Sequence, residues 1–520
     1  MDGTSEDSRS AVKNSLIVYG AIVFLSSAIV MVLEIAAGRL MAPYVGVSLY
    51  SWTSIIGVVL AGLSLGNWAG GRWADAGADE RHVAIGLAAA ALTTLGIVLL
   101  LTFVAPMVQD RPLDLMSASV LLALGLFFLP AACLGLIAPM LTTLALGLDP
   151  RSGHIVGRMH ALAALGSIFG TFATGFLLIQ LFGTRTVIVG AGVALLLLAV
   201  PMIRAGGSIR AAAGLVGATL LGATIFAASA WRQGMSDPCI EESQYFCIRV
   251  EEAGGEGRPA GSRTLILDHL VHGISYGPDG RLLFAPYSHL MDELVRRHLG
   301  ERAGRANYFF AGGGAFSQPR AVITTFPDAR VEVAELDPAV TGVAERLLFL
   351  DRRSMSVQHT DARVALQQAS PGAYDAIVGD VFHDVAVPYH LTTREYVALL
   401  KSRLVPAGLY VMNVVDVFPD PRLVKSIVKT LSASFDRVDV WLHRIPVERS
   451  RATYVVSASD GAPLPAVLES SHGLDRSWLR VTDPILNTGT SMDALPVLTD
   501  NFVPVERLVS PLLLETLGNR

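Results

Sequence analysis

Two periodicities divide the chain. As far as about residue 231, apolar residues run almost unbroken in seven stretches, near 16–41, 50–70, 83–106, 115–146, 158–182, 186–203 and 211–231. Each is close to the ~20 helical residues that cross a hydrocarbon core of roughly 30 Å, so seven spans are expected. The fourth stretch is long for one straight helix and holds Pro130 near its middle. No polar turn residues interrupt it, so it reads as a single kinked span; a break there would add an eighth. The first stretch exceeds the apolar length of a signal peptide and lacks a persuasive cleavage site, which makes it a retained anchor. Trp52, Trp68, Trp73 and Trp231 fall near stretch ends, where indole rings favour the membrane interface. Glycines four residues apart (Gly62, Gly66 and Gly70; Gly166 and Gly170) predict close helix packing. Glu34 and Arg39, near the end of the first span, are expected to pair with each other.

After the last span the pattern shortens. Segments around Ile248–Val250, Thr264–Leu267 and Val271–Tyr276 read as β-strands, followed by a helix near Tyr287–His298. Strands at Tyr308–Ala311, Arg330–Ala334, Ser356–His359, Tyr374–Val378 and Leu409–Val414 then alternate with helices, and Val438–Leu442 and Thr453–Ala458 close the series. The helix at Pro319–Thr325 is expected to take Ser317 as its N-cap. Such alternation predicts a doubly wound, mostly parallel sheet. The expected organisation is a multi-pass α-helical membrane domain (1–232), a small β domain (233–290), a Rossmann-like α/β domain (291–460) and a C-terminal tail or docking segment (461–520).

Composition sharpens the division. The chain is 52% hydrophobic and 16% charged, with mean hydropathy +0.49, whereas soluble proteins carry roughly 25% charge. Residues 1–232 hold 12 Lys/Arg and 10 Asp/Glu, and residues 233–520 hold 28 and 35, so the second part is ordinary and acidic. A net charge of −5 leaves no footprint for nucleic acid. Arg9, Lys13, Arg72, Arg81, Arg151, Arg158, Arg204 and Arg210 lie on the N-terminal side of the spans, against Arg39, Arg111, Arg185 and Arg232 opposite. The bias puts the N-terminus in the cytoplasm of a multi-pass cell (inner) membrane protein, and seven spans then put the second part outside. An eighth span would reverse that side. Cys239 and Cys247 either form a disulfide, which requires an oxidising compartment, or remain two unrelated thiols.

Ligands of open α/β sheets bind beyond the carboxyl ends of the strands, and the unusual residues fall there. Gly312, Gly313 and Gly314 follow the first strand, where backbone can approach a ligand that side chains would block. Glu335 ends the second, where an acid can bind both ribose hydroxyls. Asp361 follows the third, where a carboxylate can accept from an adenine amino group. Asp380 ends the fourth, on the reaction side of the crevice. Each acid alone is commonly a helix cap; four such features in register predict a nucleoside ligand. No compact ligand spacing predicts a metal.

At these residues the chain resembles the spermidine synthases (polyamine aminopropyltransferases), specifically their membrane-fused members, over about 240–460. The resemblance is carried by Leu267–His272, Tyr287–His289, Ala311–Arg320, Val331–Val340, Thr360–Ala362, and Tyr374–Asp380 with His383, Asp384 and Leu391–Tyr396. It implies a class I S-adenosylmethionine-type fold and transfer of an aminopropyl group from decarboxylated S-adenosylmethionine to a small-molecule amine, a polyamine such as putrescine, without a metal. Asp380 would be the base, assisted by His383 or Asp384, with Tyr287 walling the site. Gly312, Gly313, Gly314, Glu335, Asp361 and His272 would bind the donor. A homodimer is expected from the resemblance. The chain departs from the family at Ala315, where an aspartate grips the aminopropyl end, and at His272, His289 and His383. Two other readings therefore stay open: an S-adenosylmethionine-dependent methyltransferase with another acceptor, and a transporter or sensor that binds a nucleoside without catalysis. Leu498–Glu506 resembles a tail segment of the membrane-fused relatives and is expected to dock on the sheet edge or domain interface.

Overall fold

A computed structural model of the chain describes residues 3–109, 113–149, 151–206, 209–255, 258–381 and 387–509. The chain divides into two compact units, Met1–Cys247 and Ile248–Glu515.

The first unit is helical: α1 (Gly3–Val45), α2 (Leu49–Asp75), α3 (Glu80–Gln109), α4 (Leu115–Gly135), α5 (Ile137–Leu148), α6 (Ser152–Ala173), α7 (Ile179–Phe182), α8 (Thr184–Gly206) and α9 (Ile209–Trp231). Among the described residues, seven helical segments are long and apolar enough to cross a membrane. The fourth, Leu115–Leu148, is interrupted at Leu136 rather than at Pro130, which sits inside α4. A proline costs a helix one backbone bond, and a helix of this length absorbs it. The fifth, Ser152–Phe182, contains a π-helical turn at Thr174–Leu178.

Both glycine stripes lie in helix contacts. Gly62, Gly66 and Gly70 of α2 face the backbone of the 128–136 stretch, and Gly166 and Gly170 of α6 face Phe24 and Ala28 of α1. A Cβ on Gly66 would stand 2.1 Å from the Ala132 carbonyl oxygen, a distance that no side chain tolerates. Lipid offers helices no hydrophobic drive to associate, so backbone proximity and van der Waals packing supply the adhesion.

Arg39 does not pair with Glu34. Its guanidinium donates to the Tyr245 carbonyl (2.8 Å) and to that of Ser243, in the segment after the last span. The same segment contains a two-residue strand, β1 (Glu241–Glu242), and Glu242 accepts from the Thr184 amide (3.0 Å) and hydroxyl (2.7 Å) at the start of α8. Cys239 and Cys247 are joined as a disulfide. Arg39 thus ties this segment to the end of α1, because its carbonyls need donors that a turn does not supply.

The second unit begins with antiparallel strands β2 (Cys247–Gly255), β3 (Arg258–Leu267) and β4 (Leu270–Tyr276), then α10 (Pro286–Leu299). Next come β5 (Asn307–Ala311), α11 (Ser317–Thr325), β6 (Arg330–Ala334), α12 (Pro338–Leu347), β7 (Ser356–Gln358), α13 (Ala362–Gln368), β8 (Tyr374–Gly379), α14 (Arg394–Arg403), β9 (Leu404–Phe418) and α15 (Arg422–Leu431). Strands β10 (Arg437–Leu442), β11 (Ser450–Ser459), β12 (Val467–Glu469) and β13 (Ser477–Arg480) complete a nine-stranded sheet, with α16 (Thr482–Leu486) and α17 (Val505–Leu508) after it.

The strand order is β12-β13-β10-β11-β9-β8-β5-β6-β7. The five strands from β7 to β9 pair in parallel, and β11, β10, β13 and β12 add antiparallel neighbours. The sheet is mixed, and β12 and β13 were not legible as strands because each is too short to show a period. Chain order reverses between β5 and β8, which opens a crevice at their carboxyl ends.

Ser317 is not the cap of α11. Phe316 takes that position, in left-handed conformation (φ 54°), while the Ser317 hydroxyl donates to the Ile274 carbonyl of β4 (2.8 Å). A bond to a neighbouring strand outcompetes the local cap.

Gly66→Leu is expected to destabilise the helical unit by about 1–3 kcal/mol through overpacking. Gly71→Leu, where a Cβ meets nothing within 4 Å, should be neutral. Thermal melts of the two variants in detergent check this.

Candidate active site at the β5–β8 crevice

The crevice is assembled by backbone before any side chain enters it. The Asp380 amide donates to the Ala311 carbonyl (3.0 Å), and the Gly312 amide donates to that of Ala334 (2.9 Å), so the ends of β5, β6 and β8 are laced together. Gly312 has φ +88°, and a Cβ there would lie 2.4 Å from the Asp380 carbonyl oxygen. Glycine is the residue that meets both demands.

Glu335, at the end of β6, locks this loop. Its Oε2 accepts from the amides of Gly313 (2.8 Å) and Gly314 (3.1 Å), and its Oε1 accepts from the Asp337 amide (3.0 Å). The residue is buried, 8% exposed. Burial pushes its pKa up more than the three N–H donors pull it down. A carboxylate offers about four lone-pair sites, so three amides leave about one for a ribose hydroxyl.

Asp361 caps α13, its Oδ1 accepting from the amides of Arg363 (2.8 Å) and Val364 (3.3 Å). Its Oδ2 lies 2.8 Å from His390 Nε2. Burial raises its pKa, but the His390 bond and the capping amides together hold it below the usual carboxylate range. His390 is tied in turn to the tail. Arg363 donates to the His390 carbonyl (3.1 Å) and grips Asp500 through two bonds of 2.8 and 2.6 Å, and Asp500 also accepts from the Thr393 hydroxyl (2.7 Å). The segment at 498–502 therefore docks beside α13 and α14.

Asp380 follows β8 at the mouth of the crevice. Gln318 Nε2 donates to its Oδ2 (3.2 Å), and the Asn413 side chain also bonds to it. Burial outweighs both amides and raises its pKa to about 6. Around it a cavity of about 140 Å³ is lined by His272, Tyr287, Gly313, Gly314 and Asn413. Tyr287 stands in the first turn of α10, which opens with Pro286. Burial, aided by the Asp380 charge, drives its hydroxyl pKa well up. His272 bonds through Nδ1 to the Leu270 carbonyl (2.9 Å). A carboxylate that ionises near neutrality beside a neutral phenol and an imidazole can take a proton from an incoming nucleophile.

Of the residues singled out from sequence, the structure brings His272, Tyr287, Gly313, Gly314 and Asp380 to one cavity. Gly312 lines an adjoining pocket with Tyr287 and Asp380. Glu335 sits behind the loop, and Asp361 lies beyond that cavity with His390. His383 and Asp384 are outside the described residues. Gln318, Asn413 and His390 were missed. Asn413 had a signal, a polar residue inside the buried run Val411–Val415; the other two had none without a fold. His289, Glu293 and His472 bring potential metal-ligand atoms within 4.8 Å of one another. Glu293 and its neighbour Asp292 are already engaged by Arg297 and Arg296, and His472 bridges both acids. That arrangement reads as a charge network. A second cluster, Asp237, Cys239 and Glu242, has its sulfur in the disulfide.

No protein-family profile matches the chain. It is 35% identical over 105 residues to the polyamine aminopropyltransferase of Vibrio vulnificus, covering 20% of this chain and 34% of that protein. It is 26% identical over 312 residues to the polyamine aminopropyltransferase of Corynebacterium efficiens, covering 54% and 56%. The chain thus spans between a third and just over half the length of these relatives. Among solved structures it is similar to a probable spermidine synthase from Corynebacterium glutamicum, with TM-score 0.43 and 19% identity, over 51% of this chain and 96% of that one.

Gly312→Ala adds a strained backbone, worth about 1–3 kcal/mol, to the collision with Asp380. It is expected to lower the unfolding midpoint of the second unit, read by denaturant titration, and to perturb the Asp380 carboxyl resonance.

Proposed function

We propose that the chain, which is similar to polyamine aminopropyltransferases, is a membrane-anchored transferase. It would move an aminopropyl group from decarboxylated S-adenosylmethionine to an amine acceptor, with Asp380 as the base. The observation that carries this reading is Asp380 itself: a half-buried carboxylate at the switch point, with its pKa raised to about 6, beside a glycine loop that leaves backbone open to a ligand.

In this reading Glu335 fixes the loop and offers its remaining lone pair to the donor ribose, and Asp361 receives the adenine once His390 yields. The donor's sulfonium is already a good leaving group, so alignment and deprotonation are what the protein adds. The amine nitrogen attacks the carbon next to sulfur, the C–S bond breaks with its electron pair returning to sulfur, and the amine proton passes to Asp380. Tyr287 and His272 wall the acceptor side. Gln318 and Asn413 orient the carboxylate; their amides can donate to it but take nothing from it.

The seven apolar helices support the membrane anchor, and the Cys239–Cys247 disulfide supports placing the second unit on the oxidising, extracytoplasmic side. A reporter fused after residue 235 should be active only outside the cytoplasm; cytoplasmic activity would refute that side.

Asp380→Asn is expected to lower kcat roughly 10²–10⁴-fold while nucleoside binding persists. Unchanged turnover would remove Asp380 from the role of base. In the native protein kcat/KM should rise as pH increases through about 6 and then level off, because the base acts only when ionised. A pH profile of thioether nucleoside release measures both.

A further inference from the structure

The first turns of α10 bury a histidine that the fold leaves without a polar partner. His289 is 1% exposed, and neither of its ring nitrogens has a hydrogen-bond partner among the described residues. The ring meets those of His472 and Trp478 edge to face, with centroids 4.9 and 5.0 Å away, and neither contact satisfies a nitrogen. A neutral imidazole holds one N–H and one lone pair, and taking both out of water is costly unless each finds a partner. The charge network beside it accounts for the acids, since Arg296 and Arg297 hold Asp292 and Glu293 at 2.5 Å each. It leaves His289 out.

The helix sets the geometry. His289 and Glu293 lie one turn apart on one face of α10, and His472 reaches them from the segment between β12 and β13. Glu293 is fully buried, with Oε1 on Arg297. Its Oε2 accepts from the Ser471 amide (3.0 Å) and hydroxyl (2.9 Å) and lies 3.2 Å from His472 Nδ1. One ligand atom from each of His289, Glu293 and His472 lies within 4.8 Å of the others. Two imidazoles and a carboxylate are the donor set of zinc-class ions, whereas calcium and magnesium take oxygen ligands. Burial, with the His472 and Arg476 charges, lowers the His289 pKa to about 4, so the ring is neutral and keeps a lone pair to give.

We propose that His289, Glu293 and His472 form a binding site for a zinc-class divalent cation, which staples the segment between β12 and β13 to α10. A tetrahedral ion about 2.0–2.2 Å from each ligand sets the ligand atoms about 3.3–3.6 Å apart. His472, on the connecting segment, is the ligand that closes in, while the two helix residues stay in place. When the ion binds, His472 passes the proton it shares with the acids to solvent, and its lone pair forms the metal–nitrogen bond. At Oε2 of Glu293 the ion replaces the Ser471 hydroxyl, and Arg297 stays on Oε1. Tyr287 stands two residues before His289 on α10, so the ion steadies a wall of the Asp380 cavity without touching a substrate. The site is independent of the chemistry at Asp380.

The test uses the tag-free full chain in detergent, stripped of metal with EDTA and dialysed. Zinc ion added alone is expected to bind saturably at one ion per chain by calorimetry and to raise the unfolding midpoint, because it binds the folded state. Cobalt(II) in its place should give the visible absorption of a tetrahedral site. His289→Ala and Glu293→Gln should each weaken zinc binding by about tenfold or more, as loss of even an outer partner of a metal ligand does. His82→Ala, which removes an exposed imidazole of the helical unit, should leave binding unchanged. Glu293→Gln also breaks the Arg297 pair and can unsettle α10, so His472→Gln, outside the helix, is the second variant. A native-like melt of His472→Gln in EDTA, with the response to zinc lost, upholds the site. Equal zinc binding by the native protein and the ligand variants, or no saturable binding by the native protein, overturns it.

Discussion

The crevice depends on one buried carboxylate. Glu335 is taken out of water and compensated by three backbone amides, two of them from the loop that would face a ligand. A charge in that position is costly unless every lone pair finds a donor, and a loop with left-handed glycines collapses unless something holds its amides outward. Each requirement is the solution of the other. The same loop lies against the Asp380 carbonyl at a distance that only a glycine survives, so the carboxylate behind the loop sets where Asp380 in front of it stands.

Asp380 has different partners. Glu335 accepts from three backbone amides, whereas Asp380 has two side-chain amides, and burial prevails at both. The crevice thus holds two acids in distinct surroundings: one fixed by backbone amides, the other held by side-chain amides with its pKa raised to about 6. Asn413 links this chemistry to the antiparallel half of the sheet, since its strand, β9, pairs with β8 on one side and β11 on the other.

The helical unit obeys a different rule. Its helices adhere where a Cβ is missing, and its polar groups gather at the helix ends, where Arg39, Arg185 and Thr184 satisfy the segment that follows the last span. Apolar surface drives folding in the second unit but not between helices in lipid, so small residues do there what large ones do in the sheet.

Periodicity and residue type alone determined a good part of this protein. Seven stretches of spanning length, the glycine stripes that pack them, the alternation of strands and helices, and the register of Gly312–Gly314, Glu335, Asp361 and Asp380 at strand ends all follow from spacing, which a local pattern carries. What the pattern could not carry was the identity of each partner. Arg39 looked matched to nearby Glu34 yet bonds carbonyls some two hundred residues away; Ser317 looked like a cap yet bonds to β4; Asp361 looked free yet meets His390. Strands β12 and β13 are too short for any period to appear, and they exist because β10 offers an edge. Gln318 and Asn413 join Asp380 only because β5, β8 and β9 are neighbours out of chain order. Side-chain hydrogen bonds and charges are short-ranged in space and indifferent to distance along the chain, so they are decided when the sheet closes, not before.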